Sequence, residues 1–109
     1  MSNIKAQFDK AVQIVKELPA EGPLKPTQDD QLLFYGYFKQ ANEGDNTTTR
    51  PGAFDFKGKY KWDAWKKLEG TSKEEAMAKY VELLKSKLEA AGDETSKAKL
   101  AELEAAGAA

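Results

Sequence analysis

Thr27-Gln28-Asp29-Asp30-Gln31-Leu32-Leu33-Phe34-Tyr35-Gly36-Tyr37-Phe38-Lys39-Gln40-Ala41 reads as one helix, and the fold turns on it. The Thr27 hydroxyl is a good N-cap, because it accepts from a first-turn N–H that has no partner within the helix. Asp29 and Asp30 place negative charge at the positive end of the helix dipole. Gly44 suits the helix stop. Between Leu32 and Ala41, apolar and aromatic side chains occupy most of the circumference, so this helix packs on more than one face. Gly36 in its middle costs about 1 kcal/mol against Ala. Such a cost marks a close approach to the backbone, by a neighbouring helix or by a ligand.

Outward from this helix, three more stretches have helical spacing. Upstream, Ile4, Phe8, Ala11, Val12 and Val15 form an apolar stripe over residues 3–18. Pro19 ends it, and residues 19–26 hold three of the four prolines and Gly22, which predicts a loop. Downstream, residues 44–58 read as a long connection, with Thr47-Thr48-Thr49 and the turn signal Arg50-Pro51-Gly52. A short third helix is predicted over Tyr60 to Leu68, with Trp62, Trp65 and Leu68 on one side. The fourth opens with Ser72-Lys73-Glu74-Glu75, a capping box. It continues through Met77, Tyr80, Val81, Leu84 and Leu88, and Gly92 closes it. The Ala/Glu/Lys-rich tail, residues 93–109, either prolongs the fourth helix, adds a fifth or frays. The expected fold is all-α: a four-helix bundle over residues 1–92 with a C-terminal extension.

Composition narrows the function. The chain has 109 residues, 40% hydrophobic and 32% charged, with a net charge of −1. That is one domain, too apolar for disorder and too polar for a membrane span. There is no Cys and no His. Thiolate chemistry, zinc ribbons and Ser-His-Asp or Cys-His mechanisms are therefore excluded. The opening residues, Met1 to Lys10, hold no apolar run, so no signal peptide is expected and the cytoplasm is the expected location. Asn46-Thr47-Thr48 fits a glycosylation sequon, a pattern short enough to arise by chance.

Nine of the eleven aromatics fall between Phe34 and Trp65. From Tyr35 to Lys67 there are seven Lys or Arg against four carboxylates, a basic centre in an acidic chain. Rings and ammonium groups together suit a nucleotide, with a π face for the base and charge for phosphates. Tyr35, Phe38 and Lys39 share one helical face. The same residues also fit a plain structural account, in which the rings are core and Lys57, Lys59 and Lys61 are a solvated face. No phosphate-binding glycine loop is present.

Several motifs in order carry a resemblance. Tyr35-Gly36-Tyr37-Phe38-Lys39-Gln40-Ala41, Gly44-Asp45, Arg50-Pro51-Gly52 and Lys57-Gly58-Lys59-Tyr60-Lys61-Trp62-Asp63-Ala64-Trp65 resemble the signature of acyl-CoA-binding proteins. Phe8-Asp9-Lys10-Ala11 and Gly70-Thr71-Ser72-Lys73-Glu74-Glu75-Ala76-Met77 fit as well, so the likeness runs over about residues 4–90. It implies an up-down-down-up four-helix bundle that binds long-chain acyl-CoA without catalysis; nothing in the sequence requires an oligomer, and a monomer is the simple expectation. It implies no cofactor beyond that ligand, no nucleic acid, and transient contact with acyl-CoA-using enzymes or membranes. By position it implies Tyr35, Phe38, Lys39, Lys61 and Tyr80 as ligand contacts, Lys39 and Lys61 on the 3′-phosphate, and Lys16 and Lys57 as secondary contacts. Met77 and the apolar faces of the first two helices are the expected lining for the acyl chain. Phe38 departs from the Tyr of many members. The loop 19–26 is longer than in the short members, and Asn46-Thr47-Thr48-Thr49 replaces an Ile-Asn-Thr-Glu type of sequence. The alternative function is a nucleotide or single-stranded nucleic-acid module built on the same rings and lysines.

Overall fold

The computed structural model describes residues 3–18 and 26–108. Among them lie five helices: α1 (Ile4–Glu17), α2 (Gln28–Glu43), α3 (Phe56–Lys66), α4 (Lys73–Ala91) and α5 (Glu94–Ala108). No strand occurs among the described residues, and the all-α class is the one expected. The expected loop at residues 19–26 lies, but for Pro26, outside the described residues. None of the helices is long and apolar enough to cross a membrane. Contacts group the described chain into two compact units, one within residues 26–77 and the other within 3–18 and 78–108.

The unit of residues 26–77 is organised by α2 and α3. A capping box starts α2. The Thr27 hydroxyl accepts from the Asp30 N–H, and the Asp30 carboxylate accepts from the Thr27 N–H, both at 3.1 Å. Gly44, at φ 79°, stops it and donates its N–H to the Gln40 carbonyl. Positive φ at that cap is what selects glycine there. Along α2 and α3 the facing residues rise together: Tyr35 meets Lys61, Gly36 meets Ala64, and Lys39 meets Trp65. The two helices are therefore parallel, as the middle pair of the implied topology requires. A Cβ at Gly36 would lie 2.8 Å from the Ala64 carbonyl oxygen. The close approach that the glycine announced is thus made by a neighbouring helix.

Parallel neighbours need a connection that returns along their length. Residues 44–55 supply it, and α3 holds it down. Trp65 donates its indole N–H to the Gly44 carbonyl at 2.8 Å. Trp62 donates to the Thr48 carbonyl and hydroxyl at 3.1 and 3.0 Å. Arg50 grips Asp63 with two parallel bonds of 3.0 and 2.9 Å. Asn46 is buried; its amide nitrogen donates to the Trp62 carbonyl and its amide oxygen accepts from the Thr48 N–H. The sequon asparagine is thus a packing residue that the folded chain shields from modification.

The third helix begins four residues before the expected Tyr60. Asp55 is the reason. Its N–H closes a turn onto the Gly52 carbonyl, and its carboxylate accepts from the Gly58 N–H at 3.0 Å. That cap starts a helix through Lys57 and Gly58, which the expected connection 44–58 included.

In the other unit, α1 buries Phe8, Ala11 and Ile14. Ile14 is off the expected stripe and lies on the face of Gln7, Lys10 and Glu17, which α5 covers. Gln7 donates to the Leu103 carbonyl at 3.2 Å, Lys10 pairs with Glu102 at 3.0 Å, and Lys99 reaches Glu17 at 3.7 Å. The tail is therefore a packed helix. Its Leu103 is fully buried, and Ser96 hydrogen-bonds Asp93 at its start. The segment of α4 in this unit buries Tyr80, Val81, Leu84 and Leu88.

Two substitutions test these contacts by denaturant unfolding. Gly36→Val forces α2 and α3 apart and is expected to cost about 1–3 kcal/mol. Leu103→Ala is expected to cost about 2–5 kcal/mol, the range for truncating a buried leucine. A frayed tail would show no loss.

Candidate functional site

On α2, Tyr35 and Lys39 are four residues apart and share a face. On α3, Lys61 and Trp65 do the same. Parallel packing sets these pairs against each other with ring and cation in alternate order. Lys61 Nζ lies 5.3 Å from the centre of the Tyr35 ring, and Lys39 Nζ lies 4.9 Å from that of Trp65. Each lysine sits at cation–π distance, at which the negative face of the ring attracts the ammonium. Lys39 is also paired with Glu43 one turn on. Tyr35, Lys39 and Lys61 are half-buried, so their stems are packed while their polar ends reach water.

Phe38 is exposed on α2, beside Lys39 in sequence. Lys57 is exposed one turn before Lys61, on the same side of α3. These five candidates belong to the unit of residues 26–77. The remaining two belong to the other. Lys16 is exposed in the last turn of α1. Tyr80 is 3% exposed and packs edge-on against Phe8, with ring centres 5.2 Å apart. Its burial raises the phenol pKa to about 12.

A groove of about 700 Å³ opens between α2 and α3, on other faces of the same helices. From α2 it takes Leu32, Leu33 and Tyr37; from α3, Tyr60, Asp63 and Ala64. Its volume is in the range of small-molecule sites, about 300–1,000 Å³. Of the expected acyl-chain lining, the α2 face contributes Leu32, Leu33 and Tyr37 to this groove, whose other wall is α3; neither Met77 nor any residue of α1 lines it. Leu33, Tyr37 and Tyr60 were legible only as helical apolar positions. Their joint role follows from the parallel register, which no single-helix pattern reveals.

Electrostatics around the cluster are fixed by carboxylates with assigned partners. The Gly70 N–H and the Gln40 amide hold the Asp45 carboxyl below its usual pKa. The Arg50 guanidinium does the same for Asp63. Both stay charged well into acid. Among the described residues no group of His, Cys, Asp and Glu is placed to hold a metal.

The model of the family described as acyl CoA binding protein matches residues 5–84. An acyl-CoA-binding protein of Gossypium hirsutum is 49% identical over 89 residues, which span 82% of this chain and 96% of that one. Acyl-CoA-binding protein homolog 3 of Caenorhabditis elegans is 45% identical, over 75% of this chain and 71% of its own. Among solved structures, the crystal structure of the protein from Moniliophthora perniciosa superposes with a TM-score of 0.90 at 62% identity. That match covers 93% of this chain and 95% of the other. Acyl-CoA-binding protein 2 of Oryza sativa gives a TM-score of 0.71 at 46% identity, over 79% and 91% of the two chains.

The buried tyrosine yields a pH prediction. Folded protein keeps the Tyr80 proton up to about pH 12, whereas the free side chain loses it around pH 10.0. Between those limits the unfolded state binds fewer protons, so stability falls as pH rises. Tyr80→Phe is expected to flatten that part of the alkaline limb, read from denaturant midpoints across the window.

Proposed function

This chain belongs to the acyl-CoA-binding protein family, and on that premise we propose that it holds long-chain acyl-CoA thioesters non-covalently, buffering and carrying them. The observation that carries this reading is the ring-and-lysine cluster of Tyr35, Lys39, Lys61 and Trp65 beside an apolar groove on the same two helices. An acyl-CoA has the matching two halves, a nucleotide with a 3′-phosphate and an apolar chain.

Lys39 and Lys61 clamp the phosphate as point charges, and the strength of that clamp falls with salt. The adenine lies against the aromatic face of the cluster, with Tyr35 and the exposed ring of Phe38 as its partners. Lys57, one turn from Lys61, adds charge for the remaining phosphates. The acyl chain passes Leu32 and Tyr60 into the groove. Each methylene buried there stabilises the complex by roughly 0.8 kcal/mol before ordering costs. The family resemblance also implies Lys16 and Tyr80 as contacts. The role is binding and not catalysis, and it is performed by a monomer in the cytoplasm.

Calorimetry with palmitoyl-CoA, CoA and palmitate in parallel tests the reading. The thioester is expected to bind one to one, and each half far more weakly. Equal affinity for CoA and palmitoyl-CoA would remove the groove from the account. Lys39→Ala and Lys61→Ala are each expected to weaken palmitoyl-CoA binding by about 1–3 kcal/mol, the scale of a charge-assisted bond. Their unfolding midpoints should barely change. Incubation with palmitoyl-CoA should release no free CoA.

A further inference from the structure

The groove between α2 and α3 changes character along its length. One end takes Asp29 and Leu32 from α2 and Tyr60 from α3; the other takes Tyr37 from α2 and Lys66 and Lys67 from the end of α3. The parallel register, with Gly36 against Ala64, brings these residues to the same end on both helices. Leu33 and Ala64 lie between, so the middle of the groove is apolar. From Tyr60 to Lys67 the helix rises two turns, about 10.5 Å.

The charged groups of the lining differ in how far they are satisfied. Asp63 is held by Arg50 through bonds of 3.0 and 2.9 Å. Lys66 pairs with Glu69 at 3.2 Å. Among the described residues, the Lys67 ammonium makes no hydrogen bond and no ion pair, and the Tyr37 hydroxyl has no partner either. Lys67 acts on Asp63 only through space. The uncompensated charges of the groove are therefore Asp29, in the first turn of α2, and Lys67 at the opposite end. A plain alkyl chain gains nothing from a cation at the end of its path. A chain that ends in a carboxylate does.

We propose that the groove accepts long-chain acyl-CoA whose chain ends in a carboxylate, with Lys67 and the Tyr37 hydroxyl as the receptor for that terminal group. The proposal rests on the carrier reading, in which the chain enters past Leu32 and Tyr60. A carboxylate that stops short lies on the apolar middle or near Asp29, where it loses water without a partner or meets a like charge. One that runs the two turns meets Lys67, whose stem lines the wall while its ammonium stays wet. The Tyr37 hydroxyl can donate to the same carboxylate. Lys67 thus reads chain length and end group together, in the manner of the few placed polar groups that give an apolar pocket its specificity. The pair forms at an open end, so its contribution is modest and falls with salt.

The test is calorimetry of the full chain with palmitoyl-CoA and with the mono-CoA thioester of hexadecanedioic acid, which share a head group and a chain length. Wild type is expected to bind the two within about threefold of each other, the terminal charge being compensated at Lys67. Lys67→Gln should weaken the hexadecanedioyl thioester by about threefold to tenfold, between a surface ion pair and a charge-assisted bond. It should leave palmitoyl-CoA affinity and the unfolding midpoint unchanged, and Lys67→Arg should restore the lost affinity. The mono-CoA thioester of octanedioic acid, too short to reach, should bind about tenfold or more below octanoyl-CoA. A wild type that binds palmitoyl-CoA but rejects the hexadecanedioyl thioester, or a Lys67→Gln variant that treats both as wild type does, would overturn the proposal and leave the carrier reading standing. No binding of palmitoyl-CoA at all would overturn both.

Discussion

The contact between Gly36 and Ala64 is the constraint from which the rest follows. Where a Cβ would sit at Gly36, the Ala64 carbonyl is already only 2.8 Å away. Helices brought so close leave little freedom in their relative rotation. The residues flanking the contact are therefore fixed as well. To one side are the two ring-and-cation pairs; to the other is the groove. A larger residue at position 36 would separate the helices and degrade both features at once, although neither contains that residue. Glycine's poor helix propensity is tolerated because it purchases the geometry of the site.

The parallel arrangement carries its own requirement. Antiparallel helices can be joined by a short turn, but α2 and α3 need the connection 44–55 to return along their length. A connection that long has many backbone groups to satisfy and much entropy to lose. Side chains of α3 meet that need. Trp62 and Trp65 reach Thr48 and Gly44, and Asp63 holds Arg50. The same short helix thus serves the site with Lys61 and the scaffold with its indoles. Trp65 does both, since its ring also receives Lys39.

Much of this was legible in the sequence because the signals were local. Thr27, Gly44, Ser72 and Gly92 each act within a few residues of themselves, and so they placed α2 and α4 closely. The third helix was placed late, because Thr47-Thr48-Thr49 and Arg50-Pro51-Gly52 marked residues 44–58 as a connection and the cap at Asp55 was not recognised. The tail was left open for a related reason. Its few apolar residues give a weak stripe, and only pairing with Gln7, Lys10 and Glu17 makes it a docked helix. Of the candidate site, Tyr35, Lys39 and Lys61 were found by motif, and the structure gathers them. The share of α3 in the groove was not legible, because it belongs to the register between two helices and to neither alone.

The pairing of Lys39 with Glu43 has a consequence for how a ligand leaves. In the empty site this lysine already has a resident counter-ion. Under the proposed clamp, an arriving phosphate would not neutralise a bare charge; it would displace a carboxylate. The exchange lowers the ceiling on affinity and filters out weak anions that compete poorly with Glu43. On departure, the carboxylate recaptures the ammonium one turn away, so water need not solvate it first. The barrier to release is lowered by the same contact that limits the grip. For a molecule whose work is delivery, a built-in competitor sets the balance between holding and handing over.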